Sequence, residues 1–357
     1  KRGRHCRASQ AVNAVSHSFT IEDRLPLKNG KPPMESIIRK EVNCRATDCK
    51  LAQGQLSVSG RADISFLYLS SVDGALEKMS ASLDFNQVIE CGGAGEDCLC
   101  DLRVTAGESR IQPREDDVGE YTSTDVSVKV FLTAFLYQPC EVEMIDDAYS
   151  VQGPLELKYA QSSLLEAQEI YTEVLKKKCS LTITEEEIQK VVDLWCEQEN
   201  VQSSCEDGKL TYRVRYTICM LYRGASGRIL YLEKTFDNAF TTELEGSHGK
   251  RSDTISLTDL WEYRIADKNT VEASVETWVS SLIYSRETVK YLASAGMDEE
   301  AKAYPHQPQL LVYYASAGER LWDIAKNHRA LLSDLREQND LYDDVLPETR
   351  PLIICNR

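Results

Sequence analysis

Positive charge is scarce in this chain of 357 residues: Lys and Arg total 41 against 57 Asp and Glu, giving a formal net charge of −16 at pH 7. Such a surface repels nucleic acid and anionic lipid and offers neither a basic patch. No run approaches the ~18 consecutive apolar residues of a membrane-spanning helix. The greasiest stretch, 126–137, contains Lys129. The basic start at residues 1–7 is not followed by an apolar core, and Asn-x-Ser/Thr is absent, so secretion is not expected. Nucleic-acid partners and a membrane span are therefore excluded from the reading.

Catalytic signatures are missing as well. There is no G-x-S-x-G; Gly224-Ala-Ser-Gly227 is too short and reads as a hairpin turn. Gly249-Lys250 lacks the upstream glycine and the following hydroxyl of a phosphate loop, and Gly93-x-Gly95 lacks the third glycine of a dinucleotide fingerprint. The five histidines (His5, His17, His248, His306, His328) never stand at i, i+4 beside a glutamate. No C-x2-C pair occurs among Cys44-x4-Cys49, Cys91-x6-Cys98-x-Cys100 and Cys196-x8-Cys205, which disfavours a zinc knuckle. The expectation is a protein that is not an enzyme, with no catalytic residues, no cofactor and no metal.

What is present is ordinary globular material, 42% hydrophobic and 27% charged, in a length that suits two or three domains. Twelve cysteines are too few for a disulfide scaffold, marked by more than ~8–10% Cys. Cys179 and Cys219 lie in strand-like runs and are expected to be buried thiols. The glycines of the 91–100 loop imply exposure, so Cys91, Cys98 and Cys100 are expected to be accessible and able to cross-link under oxidising conditions.

A repeat organises the first three hundred residues. Gly54-Gln-Leu-Ser-Val-Ser-Gly-Arg-Ala-Asp-Ile-Ser-Phe-Leu-Tyr68 matches Gly208-Lys-Leu-Thr-Tyr-Arg-Val-Arg-Tyr-Thr-Ile-Cys-Met-Leu-Tyr222 without a gap. In both, even positions are apolar and odd ones mostly polar, the pattern of a long strand with one buried face. A turn and a second strand ending at Phe85 or Phe236 follow, a hairpin signature. After a variable Gly- and acid-rich stretch (245–251 in the second copy), alternating strands at 125–137 and 270–279 close each unit. Short amphipathic segments open them, at 35–39 and 185–195, the latter helical by its Ile188/Val191/Val192/Trp195 spacing. Residues 146–178 read as an extended connector, and composition changes after Ala293, with Pro305 and Pro308 marking a linker. Trp195, Trp261, Trp278 and Trp322 fall on apolar periodicities and read as core, with Trp322 best placed for exposure.

The last fifty residues carry the sharpest pattern. A strand at 310–316 precedes a short helix with Leu321, Ile324 and Ala325 at i, i+3, i+4; a second helix at 332–339 and a strand at 351–355 follow. This β-α-α-β order, with Gly318, Leu321-Trp322-Asp-Ile324-Ala325, Leu335, Asn339, Leu346-Pro347 and Leu352-Ile-Ile354, resembles the LysM domain. Three departures set it apart from glycan-binding members: Glu319-Arg320 after the glycine, Leu331 before the second helix, and Thr349-Arg350 before the last strand. A guanidinium favours a protein carboxylate over a neutral sugar.

Two copies of the Gly-x-Leu…Leu-Tyr unit, an Asp-Ala-Tyr-Ser segment and a terminal LysM-like module together resemble the SipL-type SPOCS-domain spore morphogenesis proteins of endospore-forming Firmicutes. The fold expectation is mainly β: an N-terminal tail (1–15), two tandem antiparallel SPOCS-like β-rich domains (16–150, and 151–300 with its connector), a linker (301–309) and a small α+β LysM domain (310–357). The resemblance implies a non-enzymatic adaptor of spore-coat assembly, cytoplasmic in the mother cell at the forespore surface. Its LysM would dock a coat-assembly ATPase or another coat protein. The alternative is a cell-wall or cortex protein whose LysM grips peptidoglycan; homo-oligomerisation is left open. The expected partner-binding rim is Gly318, Glu319, Arg320, Trp322, Asn339, Asp340 and Leu341, with Leu341 its exposed apolar residue.

Overall fold

A computed structural model describes residues 1–28, 30–95, 97–244, 251–297 and 310–355. The variable loop at 245–250, the linker expected at 301–309 and the Trp261 side chain lie outside the described residues. The chain is mainly β. Six strands, β1 (Arg2–Pro26), β2 (Met34–Ala52), β3 (Gln55–Ser70), β4 (Leu76–Glu90), β5 (Leu99–Glu115) and β6 (Tyr121–Asp147), form a first half. Six more, β7 (Leu155–Thr182), β8 (Ile188–Glu206), β9 (Lys209–Gly224), β10 (Ile229–Glu243), β11 (Arg251–Asp267) and β12 (Thr270–Met297), form a second. A short module follows: β13 (Leu310–Ala315), α1 (Leu321–His328), α2 (Leu332–Asn339) and β14 (Arg350–Cys355).

Strand order repeats between the halves. In the first, β2-β3-β4 pair in sequence and β6 lies between β1 and β5; among the described residues the two sets are strand-paired at Met34–Tyr121. In the second, β8-β9-β10 pair in sequence and β12 lies between β11 and β7. The match extends to local backbone. Gln53-Gly54 and Asp207-Gly208 both have positive φ, the type I′ geometry that suits the twist of a two-residue hairpin. After each turn the glycine carbonyl accepts a third-strand amide, from Cys91 at 2.7 Å and from Leu244 at 2.8 Å. Bulges fall at Met34/Ser36 and Ile37/Arg39 in β2, and at Ile188/Lys190 and Val191/Asp193 in β8. The inward faces of β3 and β9 bury Leu56, Val58, Ala62, Ile64, Phe66 and Tyr68, and Leu210, Tyr212, Val214, Tyr216, Ile218, Met220 and Tyr222. Each half has its own apolar core.

Those bulges explain why one segment departs from its expected helix. Residues 185–195 do not form a helix; from Ile188 onward they are strand β8. A bulge inserts a residue and shifts the inward phase, so Val191, Val192, Asp193 and Leu194 are buried consecutively. Together with Ile188 and Trp195, that run imitates a 3.6-residue period. The segment at 35–39 is likewise part of strand β2. Other expectations fall short of the strands observed. Residues 2–15 belong to β1 rather than a tail and 155–178 to β7; the first variable stretch contains β5, and β11 lies between the second variable stretch and its closing strand. The second hairpin strands run past Phe85 and Phe236 to Glu90 and Glu243. Nor are those phenylalanines equivalent, since Phe85 pairs with Gly60 and Phe236 with Tyr216.

By internal contacts the chain divides into two compact units, one comprising Ser9–Pro139 and Leu165–Arg286, the other Lys1–Ala8, Cys140–Leu164 and Glu287–Arg357. These units interleave along the chain, whereas the expected domains are sequential. Within the first, polar contacts join the two halves. Arg39 and Lys78 reach the Asp193 carboxylate at 3.2 and 2.6 Å, and Lys190 reaches Glu77 at 2.7 Å. Arg39 also stacks over Trp195 (4.1 Å) and Arg45 over Trp278 (4.5 Å), so both tryptophans are half-buried cation platforms rather than core.

Candidate partner-docking site

The second unit contains the C-terminal module, in which β13 and β14 pair antiparallel from Leu310–Cys355 to Ala315–Arg350. Alternation sends Ala315, Leu352 and Ile354 inward, where they meet Leu321, Ile324 and Ala325 of α1 and Leu335 of α2. The loops at the helix ends are locked by backbone bonds. The Gly318 amide donates to Leu346 O, the Leu346 amide to Glu319 O and the Leu321 amide to Asp344 O, each 2.9 Å. Gly318 makes this turn at φ +89°, a conformation costly for any residue with a Cβ.

Trp322 is not exposed. It is 8% accessible, and its indole N–H donates to Asp147 Oδ2 at 2.9 Å. Lys326, one turn on, donates to both Asp147 oxygens at 2.7 Å. The Tyr149 ring stands edge-on to Trp322 at 4.9 Å, and its hydroxyl donates to Ala330 O at 2.7 Å. Arg2 pairs with Asp146 at 3.0 Å and lies 5.7 Å from the centre of the Trp322 ring. One face of α1 is therefore covered by residues 146–149, giving the Asp-Ala-Tyr-Ser segment a concrete role as the seat of this helix. Burial alone would push the Asp147 carboxyl up; the hydrogen bonds from Lys326 and Trp322 outweigh it and hold the group below the usual carboxylate value.

The expected rim divides into two groups. Asn339 is buried: its amide donates to Leu335 O and Ile353 O and its oxygen accepts the Ile353 amide at 2.6 Å, bracing α2 against β14. Leu341 is also buried, in the module core. Asp340 caps α2 in the left-handed region (φ 53°), and the Leu341 amide returns to Arg336 O at 3.0 Å. This helix ending turns the following side chain inward. Glu319 is half-buried, accepting bonds from the Tyr313 hydroxyl and the Ser316 amide. Gly318, Arg320 and Asp340 are exposed.

The exposed apolar residue is the next one along. Tyr342 is 89% accessible, and Val345, bridged to Arg320 through the backbone, is 44% accessible. Arg320, Tyr342 and Val345, with the acids Asp343 and Asp344, thus make the surface beside the helix termini. The outer face of the β13–β14 ribbon is also apolar: Val312 pairs with Ile353 and Tyr314 with Pro351, and all four are exposed, Tyr314 at 76%. The alternation Leu310-x-Val312-x-Tyr314 carried this signal in the sequence, since an apolar residue at every position leaves one face unpartnered. Exposed tyrosine and apolar residues beside charge are typical of protein-binding anchors.

The expected cysteine loop is not a set of exposed thiols. Cys91 is fully buried, whereas Cys98 and Cys100 are half-buried. The loop's glycines are at the surface, but the Cys91 amide is tied to Gly54 O and draws its side chain into the core. Cys179 and Cys219 are buried, and burial pushes both thiols up. Among the described residues no group of three or more His, Cys, Asp or Glu is placed to hold a metal ion. No helix among them is long and apolar enough to cross a membrane.

Residues 33–109 match the family described as SipL, SPOCS domain. The match covers β2, β3, β4 and the first part of β5, including the Gln53-Gly54 turn and the three bulges of β2. No curated protein and no solved structure matches the chain.

Proposed function

We propose that this chain is a non-enzymatic assembly protein of endospore-envelope morphogenesis, with two tandem SPOCS-type β units and a LysM-like C-terminal module that docks a coat-assembly protein. The SPOCS match at residues 33–109 supports the sporulation role. The second half, with the same strand order and hairpin geometry, supports a second unit of the same kind. The place of action is the mother-cell side of the forespore surface, as in the proteins it resembles.

The observation that carries the docking assignment is the exposed Tyr342 and Val345 beside Arg320. A neutral sugar gives a guanidinium no counter-charge, and burying an unpaired ion costs several kcal/mol. A protein surface with a carboxylate and an apolar pocket satisfies both groups. Titrating the 357-residue chain against the coat-assembly ATPase and against chitin oligomers tests the reading. Protein binding weakened by Arg320→Ala or Tyr342→Ala is expected. Sugar binding without protein binding would move the protein to the peptidoglycan-anchored class.

A further inference from the structure

The first half's sheet has two parts, β2-β3-β4 and β1-β6-β5, strand-paired at Met34–Tyr121, and these sheets approach each other again where β2 ends and β5 begins. Cys49, on β2, and Cys100, on β5, meet there with sulfurs 3.9 Å apart. Both are half-buried and pack against the apolar core beside Cys91. The second half holds a parallel arrangement. Cys49 pairs with Val58 on β3, and Ser203, in the corresponding place on β8, pairs with Tyr212 on β9. Ser203 Oγ receives hydrogen bonds from Ser252 Oγ at 2.8 Å and Thr254 Oγ1 at 2.7 Å, both on β11. This position therefore brings short polar side chains together across the sheets in both halves, as hydroxyls in one and thiols in the other.

We propose that Cys49 and Cys100 are a modification site: in contact with a low-molecular-weight disulfide of the glutathione class they close an intrachain cross-link between the sheets. The Cys49 thiolate attacks one sulfur of the small disulfide, whose S–S bond breaks and releases one thiolate. Cys100 then loses its proton and attacks the Cys49 sulfur of the mixed disulfide, expelling the second small thiolate. Two protein thiols are oxidised, one small disulfide is reduced to two thiols, and the two protein protons end on those products. Cys49 is the natural first nucleophile: its hydrogen bond with Cys100 holds it below the ordinary thiol value against the upward push of burial. The same bond, with burial, pushes Cys100 up, so it keeps its proton until the second step.

The link would join residues 51 apart in sequence. It restricts the unfolded chain, and so raises the unfolding midpoint of the first half. Cys91 does not compete, because its sulfur is buried and faces Ile89 O at 3.7 Å.

Oxidised glutathione applied to the full chain, followed by alkylation, digestion and mass mapping without reductant, tests the proposal. One cross-linked peptide joining Cys49 to Cys100 is expected. It should be lost completely in Cys49→Ser and in Cys100→Ser, and kept in Cys98→Ser. Recovery of both residues as alkylated or glutathionylated thiols, or a link from either to Cys91, Cys98 or a second chain, would overturn it. Mapping the unmodified sequence decides the matter even if a variant fails to fold.

Discussion

At the centre of β3 stands Gly60, under the Phe85 ring of the neighbouring strand; at the equivalent place on β9 stands Val214, opposite Asn238. A Cβ on Gly60 would lie 2.1 Å from the Phe85 ring and 2.7 Å from the Arg45 carbonyl. The first half thus fills this space from the edge strand, the second from the central strand, and Asn238 uses the freed room to donate to the buried Tyr216 hydroxyl at 2.8 Å. What the two halves hold in common is backbone: strand order, turn geometry and the paired bulges. What differs is which strand supplies the volume, because a core constrains total volume and patterning more than the identity at any one position.

Gly60→Val should separate the two halves most strongly. We expect a loss of about 3 kcal/mol, the upper part of the usual range for overpacking, read as a lower denaturation midpoint. Gly60→Val with Phe85→Asn should recover part of it by copying the second half. Recovery stays incomplete, since Ala62 stands where Tyr216 would satisfy the new amide. No recovery would mean that the two positions are not equivalent.

A second difference lies in charge. Arg39 and Asp193 follow the second bulge in β2 and β8, equivalent positions carrying opposite charge, and they meet at 3.2 Å. Opposite signs let the halves of one chain pair with each other, whereas two copies of the same half would bring like charges together. The Asp193 side chain is only 1% accessible. Arg39→Ala should therefore cost about 2 kcal/mol, below the figure for fully buried pairs because Arg39 is partly exposed and Lys78 remains. Thermal unfolding measures the loss, and the exchanged pair Arg39→Asp with Asp193→Arg should restore part of it.

The first half also ends in a segment that holds α1. Asp147→Asn should loosen that helix by about 1 kcal/mol, discounted for the exposure of Lys326, seen as faster hydrogen exchange of its amides. The pH dependence has a definite sign. The Asp147 carboxyl is held below its ordinary value of 3.8, so its contribution is complete above that value and is lost as pH falls below it. That acid-dependent loosening should be missing from the Asn variant. Removing everything after residue 305 would take away the partners of Asp147 and Tyr149, so the β strands next to these residues are expected to lose some protection. The smallest effect is the most symmetrical one. Gly54→Ala and Gly208→Ala should each cost about 1 kcal/mol, since both force a Cβ into the left-handed region. A full cost at one and none at the other would deny the equivalence.

How far the sequence disclosed these features follows from the same physics. The central strands and their turns were legible because period-two alternation runs unbroken from Leu56 and from Leu210. The β-α-α-β order was legible because Leu321, Ile324 and Ala325 keep helical spacing. Strand β8 was hidden by its bulges, and β5 and β11 by exposed polar faces. The rim slipped by one residue, from Leu341 to Tyr342, because Asp340 takes the left-handed conformation and nothing in its side chain announces it. Trp322 looked exposed because its partner, Asp147, lies 175 residues away.

The docking proposal puts a protein, rather than a sugar, on the rim beside Arg320. Calorimetric titration of the 357-residue chain and its Tyr342→Ala variant against the coat-assembly ATPase, with chitin oligomers as the second ligand, is the decisive measurement. Binding to the ATPase is expected, weakened by about 1–3 kcal/mol in the variant as for an interface anchor, with no heat from the sugar. Sugar binding that the variant weakens, with the ATPase silent, would contradict it.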